Sequence, residues 1–125
     1  MAKWAHADTL DGGLTSIKTN ATRMILISAY SAGDSYATVT GNALATVTMA
    51  SGDYTISTSG SNRVLTTATK SATASASSAT PNLHIAFTDG SSKVLWVTDE
   101  TSDQAITSGN TVNFPAITYT ANQPT

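Results

Sequence analysis

Met24-Ile25-Leu26-Ile27-Ser28-Ala29-Tyr30 is the stretch that decides the fold. It opens with four large apolar residues in a row, so neighbouring side chains on both faces of an extended chain are apolar. That is the pattern of a central strand covered on both sides. The run is far short of the roughly 20 residues that span a bilayer, and no other run comes closer. From Arg23 onward the chain reads as β.

Downstream, Leu44 to Met49 and Tyr54 to Ser57 read as strands. Arg63 to Ala76 opens with Val64-Leu65 and then alternates Ala with Ser, Thr or Lys, and its small side chains predict a long strand or ribbon with a flat face, or a poorly packed edge. Leu83 to Thr88 and Lys93 to Thr98 flank Asp89-Gly90-Ser91-Ser92, the strongest hairpin signal in the chain, with Gly90 free to take a positive φ. Gln104 to Thr107 and Val112 to Thr120 complete the strand set, and Pro115 makes the last one an edge strand or marks a bulge. Ser31-Ala32-Gly33-Asp34, Ser51-Gly52-Asp53, Ser59-Gly60-Ser61-Asn62 and Ser108-Gly109-Asn110 share one grammar. Their unequal spacing marks them as turns rather than solenoid repeats.

Upstream lies the one helix candidate. Leu10, Leu14, Ile17 and Ala21 fall on one helical face. Asp8 or Thr9 can cap its start, and it ends near Asn20. Gly12-Gly13 costs such a helix about 1 kcal/mol per glycine relative to alanine. The pair either weakens the helix or permits close backbone packing. The expected organisation is an N-terminal arm over 1–8 and one all-β domain over 9–125. That domain is a β-sandwich or jelly roll with a short N-terminal helix near 9–20.

Composition narrows the function. The chain has 125 residues, of which 58 are Thr, Ser or Ala. Leu, Ile, Val and Phe together number 22, so a core must be thin. Such a protein is expected to gain stability by burial against other molecules, through self-association or docking on a larger assembly. Six Lys and Arg against eight Asp and Glu leave no basic patch, which argues against nucleic acid as the main partner. The opening residues lack the apolar stretch of a secretory signal, and no membrane association is expected. With no cysteine, disulfides and thiolate metal sites are excluded.

Chemistry-bearing groups are sparse, and no cofactor or enzymatic activity is expected. There is no phosphate loop, nucleophile elbow or paired-His zinc motif. His84 alternates with apolar neighbours in Leu83-His84-Ile85-Ala86-Phe87, which reads as the polar face of a strand ahead of a general base. Asp99, Glu100 and Asp103 form an acidic loop whose spacing matches no EF-hand, so solvated carboxylates are expected ahead of a Ca²⁺ site. Trp96 reads as core. Trp4 precedes the helix with little local structure to bury it, and reads as an anchor against the domain or a neighbouring subunit.

Two stretches then resemble a known family. Met1-Ala2-Lys3-Trp4-Ala5-His6-Ala7-Asp8-Thr9-Leu10-Asp11-Gly12-Gly13-Leu14 is similar to the start of small structural proteins of tailed bacteriophages. So is Ser92-Lys93-Val94-Leu95-Trp96-Val97-Thr98-Asp99, followed by Ala105 to Ala116 with its Gly109-Asn110-Thr111-Val112 strand entry. The resemblance implies a head decoration (cement) protein. Such a protein is made in the host cytoplasm, binds the major capsid protein on the outside of the shell, and stabilises the head as part of an oligomer. The expected contacts are Lys3, Trp4 and His6 of the arm and Leu10, Leu14 and Ile17 of the helix face. The competing readings are another phage component of the neck, tail or fibre, a carbohydrate-binding module using tyrosines, and a small hydrolase using His84.

Overall fold

The computed structural model describes residues 2–79, 82–99 and 105–124. The chain is a sandwich-like all-β domain with a helix at its N-terminus. Helix α1 (Ala7–Asn20) is followed by β1 (Arg23–Ile27), a short helix α2 (Tyr36–Gly41), and β2 (Ala43–Thr48). After a single 3₁₀ turn come β3 (Tyr54–Ser59), β4 (Asn62–Thr67), β5 (Lys70–Thr73), β6 (His84–Thr88), β7 (Val94–Asp99), β8 (Thr111–Phe114) and β9 (Thr118–Ala121). All strand pairs are antiparallel, in sheets ordered β2-β1-β6-β7, β3-β4-β9 and β5-β8.

The apolar run places β1 at the centre of the four-stranded sheet. Met24 and Leu26 face the main core, where they meet Leu14 and Ile17 of α1, Tyr54, Leu65 and Phe114 from the other sheets, and Phe87. Ile25 and Ile27 point to the opposite face and are buried with Ala86 under Val39 of α2. The expectation of a strand buried on both faces therefore holds at all four residues.

The helix begins two residues earlier than its spacing suggests, so the arm before it is shorter than 1–8. Neither Asp8 nor Thr9 caps it. His6 does, its Nδ1 accepting the Asp8 N–H at 3.1 Å while its carbonyl accepts the Thr9 and Leu10 N–H groups. Asp11 ties the helix to β4 through a two-point ion pair with Arg63, at 2.7 and 3.1 Å. At the other end Lys18 donates to the Tyr54 and Ser51 carbonyls. Gly12 and Gly13 make no close intramolecular approach, since a Cβ built at either meets nothing within 4 Å.

Two further expectations are corrected. The domain holds a second helix, α2, where only the N-terminal helix was expected. Ser35 caps it by accepting the Thr38 N–H, and burial of Val39 holds it against the sheet. Arg63 to Ala76 is not one strand, and neither is Val112 to Thr120. Both runs break at the same level. Buried Thr67 donates its N–H to the Ile117 carbonyl, and its hydroxyl accepts the Ile117 N–H, both at 2.9 Å. Pro115, which cannot donate to a ladder, sits in the opposite break. The result is one long antiparallel ribbon with a corner, its outer half (β4-β9) in one sheet and its inner half (β5-β8) in another. Ile106 makes an isolated bridge to Ser78, and Gln104 lies outside the described residues.

The β6-β7 hairpin forms as its turn signal requires. Asp89 accepts the N–H groups of Ser91, Ser92 and Lys93 on one carboxylate oxygen, which holds its carboxyl well below the usual carboxylate range. Gly90 adopts φ +81°, and a Cβ there would sit 3.0 Å from the Thr22 hydroxyl oxygen. That hydroxyl donates to the Asp89 carbonyl. Gly90→Ala is therefore expected to cost about 1–2 kcal/mol for the left-handed backbone alone, with the contact adding to it. Thermal unfolding of the variant checks this, and an unchanged midpoint refutes the strained-turn account.

Candidate interaction surface

The six residues expected to dock divide into two groups. Leu14 and Ile17 are 1% and 6% exposed, closing the core from the helix side against β3, β4 and β9. They are therefore not an exposed docking face, and this part of the expectation is corrected. A thin β core recruits the best apolar stripe available, and the nearest is the helix that precedes it. Lys3, Trp4 and His6 stay exposed on the arm, and Leu10 is half-buried at the edge of the helix.

Trp4 is 72% exposed, its ring set edge-on to His6 with centroids 5.7 Å apart. The backbone beside it is not loose. Gln123, two residues past β9, accepts the Ala5 N–H at 2.9 Å and donates its side-chain amide to the Ala5 carbonyl at 3.0 Å. The same amide group donates to the Ser61 carbonyl, and the Gln123 N–H donates to Asn62. The root of the arm is thus clamped to the β3-β4 turn and the end of β9, with the indole held outside.

Next to that clamp, α1, β7 and β9 enclose a groove of about 570 Å³. Leu10 and Gly13 line one wall, Leu95 and Tyr119 the other, and among the described residues no charged side chain lines it. Tyr119, 41% exposed, is supported from behind by an unbroken series of ring contacts. Tyr54 meets Phe87 at 6.2 Å, Phe87 stacks on Trp96 at 4.5 Å, and Trp96 meets Tyr119 edge-on at 5.2 Å. Trp96 is thus half-buried against the core rather than inside it. Among the described residues, Trp4 and Tyr119 are the exposed large apolar side chains. Sequence reasoning missed Leu95 and singled out Tyr119 only as one of several aromatic residues that could stack on a sugar or anchor an interface. The available signal was Val94-Leu95-Trp96-Val97, whose apolar side chains on both faces of an edge strand exceed what one core needs.

The remaining candidates are dispersed. His84 lies on the outer face of the four-stranded sheet, its Nε2 3.8 Å from the Asp99 carboxylate and its ring 6.0 Å from Tyr30. Its Nδ1 is buried without a hydrogen-bond partner. Asp99 is exposed, while Glu100 and Asp103 lie outside the described residues. The tyrosines form no single platform. Tyr54 is buried and Tyr119 walls the groove, while Tyr30 and Tyr36 line a separate shallow pocket with Asp34 and Lys93. No helix among the described residues is long and apolar enough to cross a membrane.

No protein-family model, curated protein or solved structure matches the chain.

Proposed function

We propose that this chain is a non-enzymatic structural protein of a tailed-phage virion, a decoration protein that binds the major capsid protein on the outside of the head and stabilises the shell. Two things support the reading: the resemblance of the opening and closing stretches to phage structural proteins, and the shape of the N-terminus. The observation that carries it is Trp4. A tryptophan held 72% exposed on a clamped arm, meeting His6 edge-on, leaves most of its ring surface open to another molecule. Large amphipathic rings in that position are the usual centres of binding energy at interfaces.

The test is attachment of the purified protein to heads that lack their decoration. Deleting residues 2–4 leaves the Gln123 clamp at Ala5 and the sandwich core in place. It is expected to weaken attachment about 30-fold or more, the scale of a lost aromatic hot spot of about 2 kcal/mol. Circular dichroism should stay unchanged. Wild-type protein that ignores such heads rejects the decoration role, and full attachment by the truncated chain rejects the arm.

A carbohydrate-binding reading has one observation in its favour, the pocket shared by Tyr30, Tyr36, Asp34 and Lys93, where a sugar ring can stack and hydrogen-bond. Glycan-array binding that disappears in Tyr36→Ala would promote it.

A further inference from the structure

We propose that His6 is a proton-operated latch on the Trp4 arm: one ring nitrogen holds either the start of α1 or the Asp8 carboxylate, and the exchange between them re-aims the indole. The inference rests on reading Trp4 as the attachment anchor and names what regulates it.

The latch follows from one atom with two claimants. His6 Nδ1 accepts the Asp8 N–H at 3.1 Å, and this bond is the side-chain cap of α1. Accepting it takes a lone pair, so the ring in this state is neutral and carries its proton on Nε2. The same Nδ1 stands 3.6 Å from the Asp8 carboxylate. A carboxylate accepts and cannot donate, so that contact becomes a hydrogen bond only when Nδ1 bears a proton. The two bonds exclude each other, and a single proton decides between them. The usual capping residues are Ser, Thr, Asp and Asn, whose oxygens keep their lone pairs near neutral pH. Histidine is the side chain whose ordinary titration falls between about pH 5 and 8. Both His6 and Asp8 are exposed, so the ring exchanges protons with solvent directly.

What the proton moves is Trp4. Its ring meets His6 edge-on, with centroids 5.7 Å apart and planes at 81°. Ala5 between them is pinned to Gln123 through both of its backbone groups. The backbone pivot is therefore fixed, and a turn of the His6 ring is passed to the indole. The positive end of the α1 dipole disfavours a cation at the cap, which drives the charged ring outward. An imidazolium is also drawn to the face of an indole rather than its edge. The neighbouring charges leave the choice to Asp8. Asp11, the next carboxylate on α1, is already paired with Arg63 of β4, which Asp8 also attracts. Lys3 lies on the arm itself, and residues 122–124 after β9 carry no charged side chain.

NMR of the full chain, titrated from about pH 8 to about pH 5.5, tests the latch with no partner present. At the upper end cross-relaxation should link the Trp4 indole to the His6 ring. On acidification that contact and the Asp8 amide signal should change together, with the midpoint of the His6 ring protons. His6→Asn keeps a capping oxygen but has no proton to gain, so its Asp8 amide should hold still over the same range. Attachment of wild type to undecorated heads should weaken about fivefold between the two pH values, the scale of a lost cap, and stay constant in His6→Asn. A His6 ring that titrates while the Asp8 amide and the Trp4 indole stay put overturns the inference. So does wild-type attachment that is equal at both pH values, or a fall that His6→Asn shares. If the signals move as described but heads are ignored at every pH, the latch stands and the decoration role fails.

Discussion

Phe87→Ala is expected to remove about 3–5 kcal/mol of stability, the range for deleting a fully buried aromatic ring. Phe87 is completely buried on β6, stacked on Trp96 and edge-on to Tyr54. Its loss opens a cavity between the four-stranded sheet and the β3-β4-β9 sheet and breaks the series of rings that supports Tyr119. Domains of this size are stable by about 5–15 kcal/mol in total. One substitution would then remove about a fifth or more of that margin and lower the melting temperature by roughly 10–20 °C. Phe87→Leu keeps most of the volume and should cost far less. Thermal and urea unfolding of both variants checks the ranking, and equal losses would show that the ring contacts, rather than the filled volume, carry the stabilisation.

Tyr54→Phe should cost about 1–3 kcal/mol near neutral pH, and the cost should vanish in alkali. The Tyr54 hydroxyl donates to the Ala21 carbonyl at 2.8 Å, joining β3 to the end of α1 inside the core. Phenylalanine fills the same space but leaves that carbonyl unpaired. Burial, with a smaller push from the Asp53 charge, raises the phenol above its ordinary value. The unfolded phenol ionises near pH 10 while the folded one keeps its proton. The stabilisation is therefore complete below about pH 10 and declines above it, because only the unfolded state releases a proton there. The gap between the melting curves of wild type and variant should hold up to about pH 10 and narrow progressively as pH rises above it. A constant gap across that range would mean that Tyr54 ionises equally in both states.

Both substitutions act where a local pattern meets a distant partner, and that boundary separates what was legible in the chain from what was not. The β1 run, the helical spacing of Leu10, Leu14 and Ile17, and the Asp89-Gly90 hairpin were readable because their causes lie within a few residues. Those causes are side-chain alternation, backbone sterics and a carboxylate that reaches its own turn. The break in Arg63 to Ala76 was not readable, because it depends on Thr67 meeting Ile117, 50 residues away. Helix α2 was missed for a related reason. Six residues with one apolar contact form a helix only when a sheet face waits for Val39.

The candidate site divides along the same line. Sequence alone determined that the chain is an all-β domain with a thin core, a leading amphipathic helix and a tryptophan with no local structure to bury it. Tertiary structure alone decided that Leu14 and Ile17 face inward, that Gln123 clamps the arm, and that Leu95 and Tyr119 wall a groove beside it. Periodicity states that a face is apolar, because that follows from the spacing of side chains along one element. Which surface covers that face is settled by strands far apart in the chain, and their pairing leaves no short-range trace.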